Sequence, residues 1–207
     1  LDFTWARLMD QAPDLVVRRV DKDGWAPLPA EAAVKCARTV AGVLDPTPRL
    51  WGVATGPDGP VTVVTSGNAV PAGTLEGIPP PATGQAVVGQ GVLQAATGTR
   101  LILGSPASMT VEIVATFPTA TGLATHDLVW LSPEDARHLL GLTAGQASDL
   151  AVHLFRREEA QAIQADLAAA FPWPVRITGR GAGALAHHTR SFRTGGLAVV
   201  AWIPALL

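Results

Sequence analysis

The sequence predicts an α+β fold: a mixed-sheet α/β subdomain built from two β-α-β units, with a smaller β-rich subdomain inserted into it. Three observations predict this class. The chain opens with a strand, a helix and a strand; its middle alternates short β-branched strands with turns; and from Asp127 onward the apolar residues take helical spacing between further strands. We therefore place the α/β subdomain at 12–56 and 126–192, and the insertion at 57–125.

The first β-α-β unit begins with a strand over 14–21, which ends at a turn from Lys22 to Gly24. A helix is predicted over 29–43, because its alanine and valine residues fall on one face and Gly42 can end it. A strand over 49–54 completes the unit.

The insertion begins with a hairpin, in which the turn 56–60 joins strands over 51–55 and 61–65. A proline- and glycine-rich connector over 69–84 predicts a flexible surface with little regular structure. Short strands then follow at 87–89, 99–104 and 110–117.

The second unit starts with a strand over 128–131. Ser132, Pro133 and Glu134 have the character of a helix start, so a helix is predicted over 133–142. The remaining predicted elements are a strand over 148–154, a helix over 157–171, a strand over 175–178 and a helix over 183–192.

Composition limits the classes of function. Of the 207 residues, 48% are hydrophobic and only 15% are charged, and the formal net charge is −2. Because there is no basic field to hold nucleic acid, we expect no nucleic-acid partner. Cys36 is the single cysteine, which excludes an intrachain disulfide and a thiolate metal cluster, and its helical context predicts a small buried residue.

A family resemblance appears between Gln85 and Leu154. The stretches VEIVATF, HDLVWLSPEDARHLLGL and ASDLAVHL resemble the extracytoplasmic core domain of MacB-type and FtsX-like ABC transporter permeases. The resemblance covers about 14–192 and consists of apolar and glycine positions without a chemical signature. It implies the same two subdomains as the periodicity does, with 1–11 and 193–207 as juxtamembrane ends.

The two ends of the chain fit that implication as expectations. Residues 1–7 lack the pattern of a signal peptide, so we expect a fragment whose flanking membrane helices lie outside it. The uncharged stretch 195–207 is shorter than the roughly 20 residues that cross a bilayer. Two interpretations stay open for it: the start of a membrane helix, or a buried terminal strand or helix.

One motif has the spacing of a dinucleotide-binding loop. Gly179 to Ala184 fits GxGxxA after a strand and before a helix. A Rossmann unit also needs an acidic residue about 20 positions later, and no Asp or Glu follows Ala184. A glycine-rich turn is therefore the preferred interpretation, and no cofactor is predicted.

Histidines do not predict a metal site. His187 and His188 are adjacent, so on a helix they point about 100° apart and cannot form one ligating face. His126 and Asp127 are interpreted as a cap or turn at a strand entry.

No catalytic residue is predicted either. The chain has no GxSxG motif, and Ser66 has no supporting frame. The acidic pairs Glu134–Asp135 and Glu158–Glu159 lie near helix starts, where the helix dipole favours acids. We therefore expect that the chain is not an enzyme.

The tryptophans fall into two groups. One group lies in or beside predicted strands and is expected to pack in the core: Trp51, Trp130 and Trp173. The other group is expected to mark a bilayer interface or a partner surface: Trp5, Trp25 and Trp202.

The resemblance implies an extracytoplasmic domain of an FtsX-like ABC transporter permease, which transmits ATP-driven motion to cargo or an envelope partner. Its partners would be the cognate ABC ATPase subunit or domain, reached through a parent permease that is a homo- or heterodimer. The parent would lie in the inner (cytoplasmic) membrane, with this domain on the periplasmic side.

Two other functions are weighed against this one. The first is a stand-alone periplasmic module that binds a small ligand or lipid in the cleft between the subdomains. The second is a hydrolase or oxidoreductase, which the absence of a recognisable motif disfavours.

Overall fold

The computed structural model describes residues 12–66, 77–96, 98–104, 106–119 and 125–179. Several predicted features lie outside these residues: the juxtamembrane end 1–11, half of the connector 69–84, the glycine motif beyond Gly179, the helix over 183–192 with His187 and His188, the uncharged stretch 195–207, and Trp5 and Trp202. The described residues have mixed helix and strand content, so the predicted α+β class is confirmed.

The described strands are, in chain order, β1 Leu15–Asp21, β2 Gly24–Trp25, β3 Leu28–Pro29, β4 Val43–Arg49, β5 Trp51–Gly56, β6 Gly59–Val64, β7 Gln85–Val88, β8 Arg100–Gly104, β9 Ser108–Thr116, β10 Leu128–Leu131, β11 Gln146–Ala147, β12 Asp149–Leu154 and β13 Val175–Gly179. The helices are α1 Ala30–Ala37, α2 Gln90–Ala95, α3 Pro133–Leu140 and α4 Ala160–Ala170, the last preceded by a 3-10 turn over Arg157–Glu159.

Strands from both ends of the described chain form one sheet in the order β13-β1-β12-β4. Every neighbouring pair in it is antiparallel. Consequently β1 and β4, joined through α1, run parallel to each other on either side of β12, while β12 and β13, joined through α4, flank β1. The two predicted β-α-β units therefore interlock as a split β-α-β sheet.

The two helices cover one face of this sheet. Side chains alternate between faces along a strand, and the buried residues of one parity, including Leu15, Val17 and Leu150, pack with Ala33 of α1 and Leu167 of α4. No helix of the described residues is both long and apolar enough to span a membrane.

The middle of the chain forms a closed six-stranded barrel in the order β10-β6-β5-β8-β9-β7. Parallel pairing occurs here, between β6 and β10 and between β7 and β9, whereas the prediction placed the mixed sheet in the α/β subdomain, whose pairs are all antiparallel. Residues such as Val63, Leu101 and Leu103 fill the interior, and Leu139 of α3 packs with them. A second apolar cluster around Trp130 and Phe117 covers the outer side of β7 and β10.

The predicted strand over 49–54 is wrong as a single element. The chain forms β4 and β5 on either side of Leu50, and the two strands belong to different sheets. Proline is uncommon in strands, so Pro46 and Pro48 prevent β4 from being predicted by β-propensity. They are accommodated because β4 lies at the edge of its sheet, where a missing N–H breaks no ladder.

The predicted helix over 29–43 is wrong in its end, because α1 stops at Ala37. The backbone N–H groups of Thr39 and Val40 donate to carbonyls three residues earlier, at 3.1 and 3.2 Å, so the chain tightens out of the α-helix. Gly42 lies in the turn before β4 with φ +85°. Helix α2, at 90–95, was not predicted, since small residues there give no clear period.

Strand pairing groups the chain differently from the predicted boundaries. Strands β5 and β10 both belong to the barrel, where β6 lies between them, although the prediction placed 51–56 and 126–131 with the α/β subdomain. The barrel's chain passes to and from the split sheet at residues 49–51 and 147–149. The division of the chain into domains stays a prediction.

Candidate functional site: the neck and the arginine row

The two chain passages between the sheet and the barrel lie side by side; we call residues 49–51 and 148–149 the neck. The Ser148 backbone N–H donates to the Arg49 carbonyl at 2.9 Å. The Trp51 N–H donates to Ser148 Oγ at 3.0 Å, and the Ser148 hydroxyl donates to the Trp51 carbonyl. One serine therefore ties the outgoing chain to the returning chain.

Asp149 is the buried centre of the neck, with an exposed fraction of 0%. Its two carboxylate oxygens accept from Arg49, each at 2.7 Å, in a bidentate pair. Trp51 Nε1 donates to Oδ2 at 2.8 Å. Charge-assisted bonds of this kind are shorter and stronger than neutral ones, and here they fix the last residue of β4, the first of β12 and the first of β5.

A row of charged residues crosses the whole sheet at this level. Arg176 of β13 is the register partner of Arg18 of β1, and Asp149 of β12 is the partner of Arg49 of β4. Continuing the β1–β12 register by one residue places Arg18 opposite Asp149, and Arg18 Nε lies 3.6 Å from Asp149 Oδ2. These four residues, the arginine row, lie on the face opposite the helices.

The guanidinium of Arg18 lies between two indole rings. Its central carbon is 4.9 Å from the Trp25 ring centroid and 4.6 Å from that of Trp51. Such stacking is attractive because the ring face is negative. Burial holds the pKa of Arg18 below its ordinary value; Asp149 acts in the opposite direction and Arg49 adds to the lowering. Arginine nonetheless stays charged in proteins.

Trp25 forms the outer surface of the cluster. Its side chain is 54% exposed, and its role at a bilayer interface or a partner surface stays a prediction. Arg176 approaches the same ring at 5.8 Å from its centroid. The predicted core tryptophans behave less uniformly, since Trp130 is 2% exposed whereas Trp51 and Trp173 are only partly buried.

The residues weighed as catalytic or metal-binding candidates lie apart. His126 and His138 are exposed, on a turn and on α3, and Asp127 accepts a hydrogen bond from Thr62 at 3.0 Å. Among the described residues, no group of His, Cys, Asp and Glu is placed to hold a metal ion. Cys36 is partly buried rather than fully buried as predicted.

Glu134 and Asp135 lie in the first turn of α3, where the prediction placed them, and the residue that caps the helix is Ser132. The Asp135 backbone N–H donates to Ser132 Oγ at 3.1 Å, and the Asp135 carboxylate accepts from that hydroxyl at 2.9 Å and from Gly84 N–H at 2.8 Å. The same carboxylate thus links α3 to the turn before β7.

Sequence reasoning missed the arginine row because its members are distant along the chain; Arg49 and Asp149 are 100 residues apart. One signal was present. Arg18 and Arg176 each interrupt an apolar strand pattern at a position of the same parity as its solvent-facing residues. That alternation indicates a sheet with one polar face, although it does not give the register.

Two open grooves complete the described surface. One, of about 400 Å³, lies between α1 and β4 and is lined by residues such as Val34, Lys35 and Pro48. The other, of about 380 Å³, lies outside the barrel beside Pro57 and Ile102. The first groove is also lined by the charged residues Glu31 and Arg38, and both grooves are open rather than enclosed around a ligand.

Comparison with known proteins gives little. No family model matches the sequence, and no curated protein sequence matches it. Among solved structures, the chain is similar to the extracellular domain of the noncanonic ABC-type transporter YknZ from Gram-positive bacteria, with a TM-score of 0.47 and 9% sequence identity. The alignment covers 81% of this chain and 100% of that chain. The likeness is coarse, and no function is taken from it.

Proposed function

We propose that this chain is the extracytoplasmic domain of an FtsX-like ABC transporter permease and that it transmits ATP-driven motion to cargo or an envelope partner. The family resemblance of the sequence supports the proposal. So does the presence of a barrel inserted into a split β-α-β sheet, because that resemblance implies a β-rich unit set into an α/β unit. In this proposal the chain performs no chemistry, and a cognate ATPase supplies the energy.

The neck is the observation that carries the proposal. The first and last described strands meet at Leu15 and Gly179, at one end of the sheet. The neck lies toward the other end, about 10 Å away along β1 at the usual rise per residue. Motion applied where the chain enters and leaves the sheet would therefore reach the barrel through two adjacent passages. Their fixed geometry suits a lever.

Membrane topology is the first test. Alkaline phosphatase or a fluorescent protein is inserted at the exposed turn Pro57–Asp58 of the full-length parent protein. We expect phosphatase activity, no fluorescence and recovery in the membrane fraction. Phosphatase activity in a soluble, processed protein would instead favour a stand-alone binding module, and an inactive phosphatase would contradict both functions.

Rigidity of the lever is the second test. Cys36 is replaced by Ala in the full parent, and spin labels are attached at D58C in the barrel and E158C at the far side of the sheet; both sites are exposed. We expect the distance between the labels to stay the same with and without bound nucleotide. A change in that distance would contradict rigid transmission. The Ser148→Ala variant, which loosens the neck, should broaden the distance distribution.

A further inference from the structure

Two members of the arginine row, Arg18 and Arg176, form a surface together with the neighbouring Trp25. We call this surface the arginine–tryptophan patch. The guanidinium carbons of both arginines lie within 6 Å of the centroid of one indole ring, at 4.9 and 5.8 Å. Trp25 is 54% exposed and Arg176 is exposed. Two like charges thus converge on one solvent-facing ring.

The arginine row carries a net positive charge. The arginine row contains three cations and one carboxylate, which leaves +2. That carboxylate, Asp149, is fully buried and is already bound bidentately by Arg49. Among the described residues, Arg176 takes part in no ion pair. Directly opposed like charges on neighbouring strands destabilise a sheet, so an anion placed between Arg18 and Arg176 would be favourable.

We propose that the arginine–tryptophan patch docks an acidic peptide segment of a partner protein. Carboxylates of that segment pair with Arg176 and the accessible edge of Arg18, whose side chain is 29% exposed. The segment's apolar atoms contact the exposed part of Trp25. Arginine and tryptophan are the residues that contribute most at protein interfaces.

The hairpin tip beside Trp25 favours a peptide over a membrane. Asp21 and Asp23 lie there, both exposed, next to the same ring along the chain. A broad surface of anionic lipid would meet these carboxylates together with the arginines and be repelled by them. A single extended segment needs to contact only the arginine–tryptophan patch. This inference rests on the sheet alone and not on the proposed function.

The test is a calorimetric titration of the purified chain with a short oligoglutamate peptide, carried out at low salt and at physiological salt. We expect binding that weakens as salt screens it. Arg176→Gln should weaken binding about two- to fivefold, the usual range for an exposed charge pair. Trp25→Ala should weaken it about two- to fivefold. Both side chains are exposed, so circular dichroism should show unchanged folding.

The matched control is Arg38→Gln, which removes an exposed arginine from the helix side of the same sheet. It should leave the affinity unchanged. The proposal is overturned if the chain does not bind oligoglutamate, or if Arg38→Gln and Arg176→Gln weaken binding equally. It is also overturned if the chain binds vesicles of phosphatidylglycerol through Arg176 and does not bind the peptide.

Discussion

The split sheet and the barrel solve the same packing problem in different ways. The barrel closes its strands on themselves, so its apolar residues meet in the interior and no strand is left at an unpaired edge. The split sheet covers one face with α1 and α4 and keeps the opposite face for charged residues. Part of that opposite face is exposed, at Trp25 and Arg176, whereas Asp149 in the same row is buried.

The neck shows how the two regions are held together. Each region has its own apolar cluster, whereas the connection between them is polar and centred on Asp149. Apolar packing is tolerant of small shifts, while a bidentate ion pair with an indole donor fixes direction and distance. The contrast predicts that stability is shared between two cores but that their relative position depends on one carboxylate.

Asp149→Ala should have the largest effect. It leaves Arg49 and the indole N–H of Trp51 without their buried acceptor, and breaking a buried ion pair by removing one partner costs about 3–5 kcal/mol. Chemical denaturation measures the free energy of unfolding. Asp166→Ala, at an exposed site on α4, is the control and should change it little. If the two variants changed the free energy of unfolding equally, the ion pair in the neck would not contribute measurably to stability.

Leu103→Ala and Leu150→Ala test whether the two cores are separate. Both side chains are 0% exposed, one in the barrel and one in the sheet, and each truncation should cost about 2–5 kcal/mol. Hydrogen exchange should show lost protection mainly in β8 and β9 for the first variant, and in β1 and β12 for the second. Uniform loss of protection across both regions in both variants would show one cooperative unit instead.

Ser132→Ala should lower the free energy of unfolding least among these variants. It removes the oxygen that accepts from Asp135 N–H and caps α3, a loss that costs about 0.5–2 kcal/mol. Hydrogen exchange should rise locally in the first turn of α3. It should also rise at the turn around Gly84, whose N–H donates to the Asp135 carboxylate. Ser108→Ala, at an exposed position on β9, is the control. Effects that extend into the split sheet would contradict a local cap.

Local chemistry made several elements predictable from the sequence. Ser132 followed by Pro133 predicts the start of α3, since a hydroxyl acceptor and a fixed φ suit the first turn of a helix; the structure confirms both roles. The strand pattern around Leu15 and the helix after Glu159 follow from periodicity alone. The α+β class was predictable for the same reason, because it depends only on which periods occur and in which order.

Only the tertiary structure decided which strands pair and what their charged faces build. In the sequence, Arg18, Arg49 and Arg176 are charges on three separate strands. Register across three strand pairs brings them into one row with Asp149. Leu50 likewise marks the point where one apparent strand divides between two sheets. Strand pairing depends on contacts between residues far apart in the chain, and local backbone preferences do not specify these contacts.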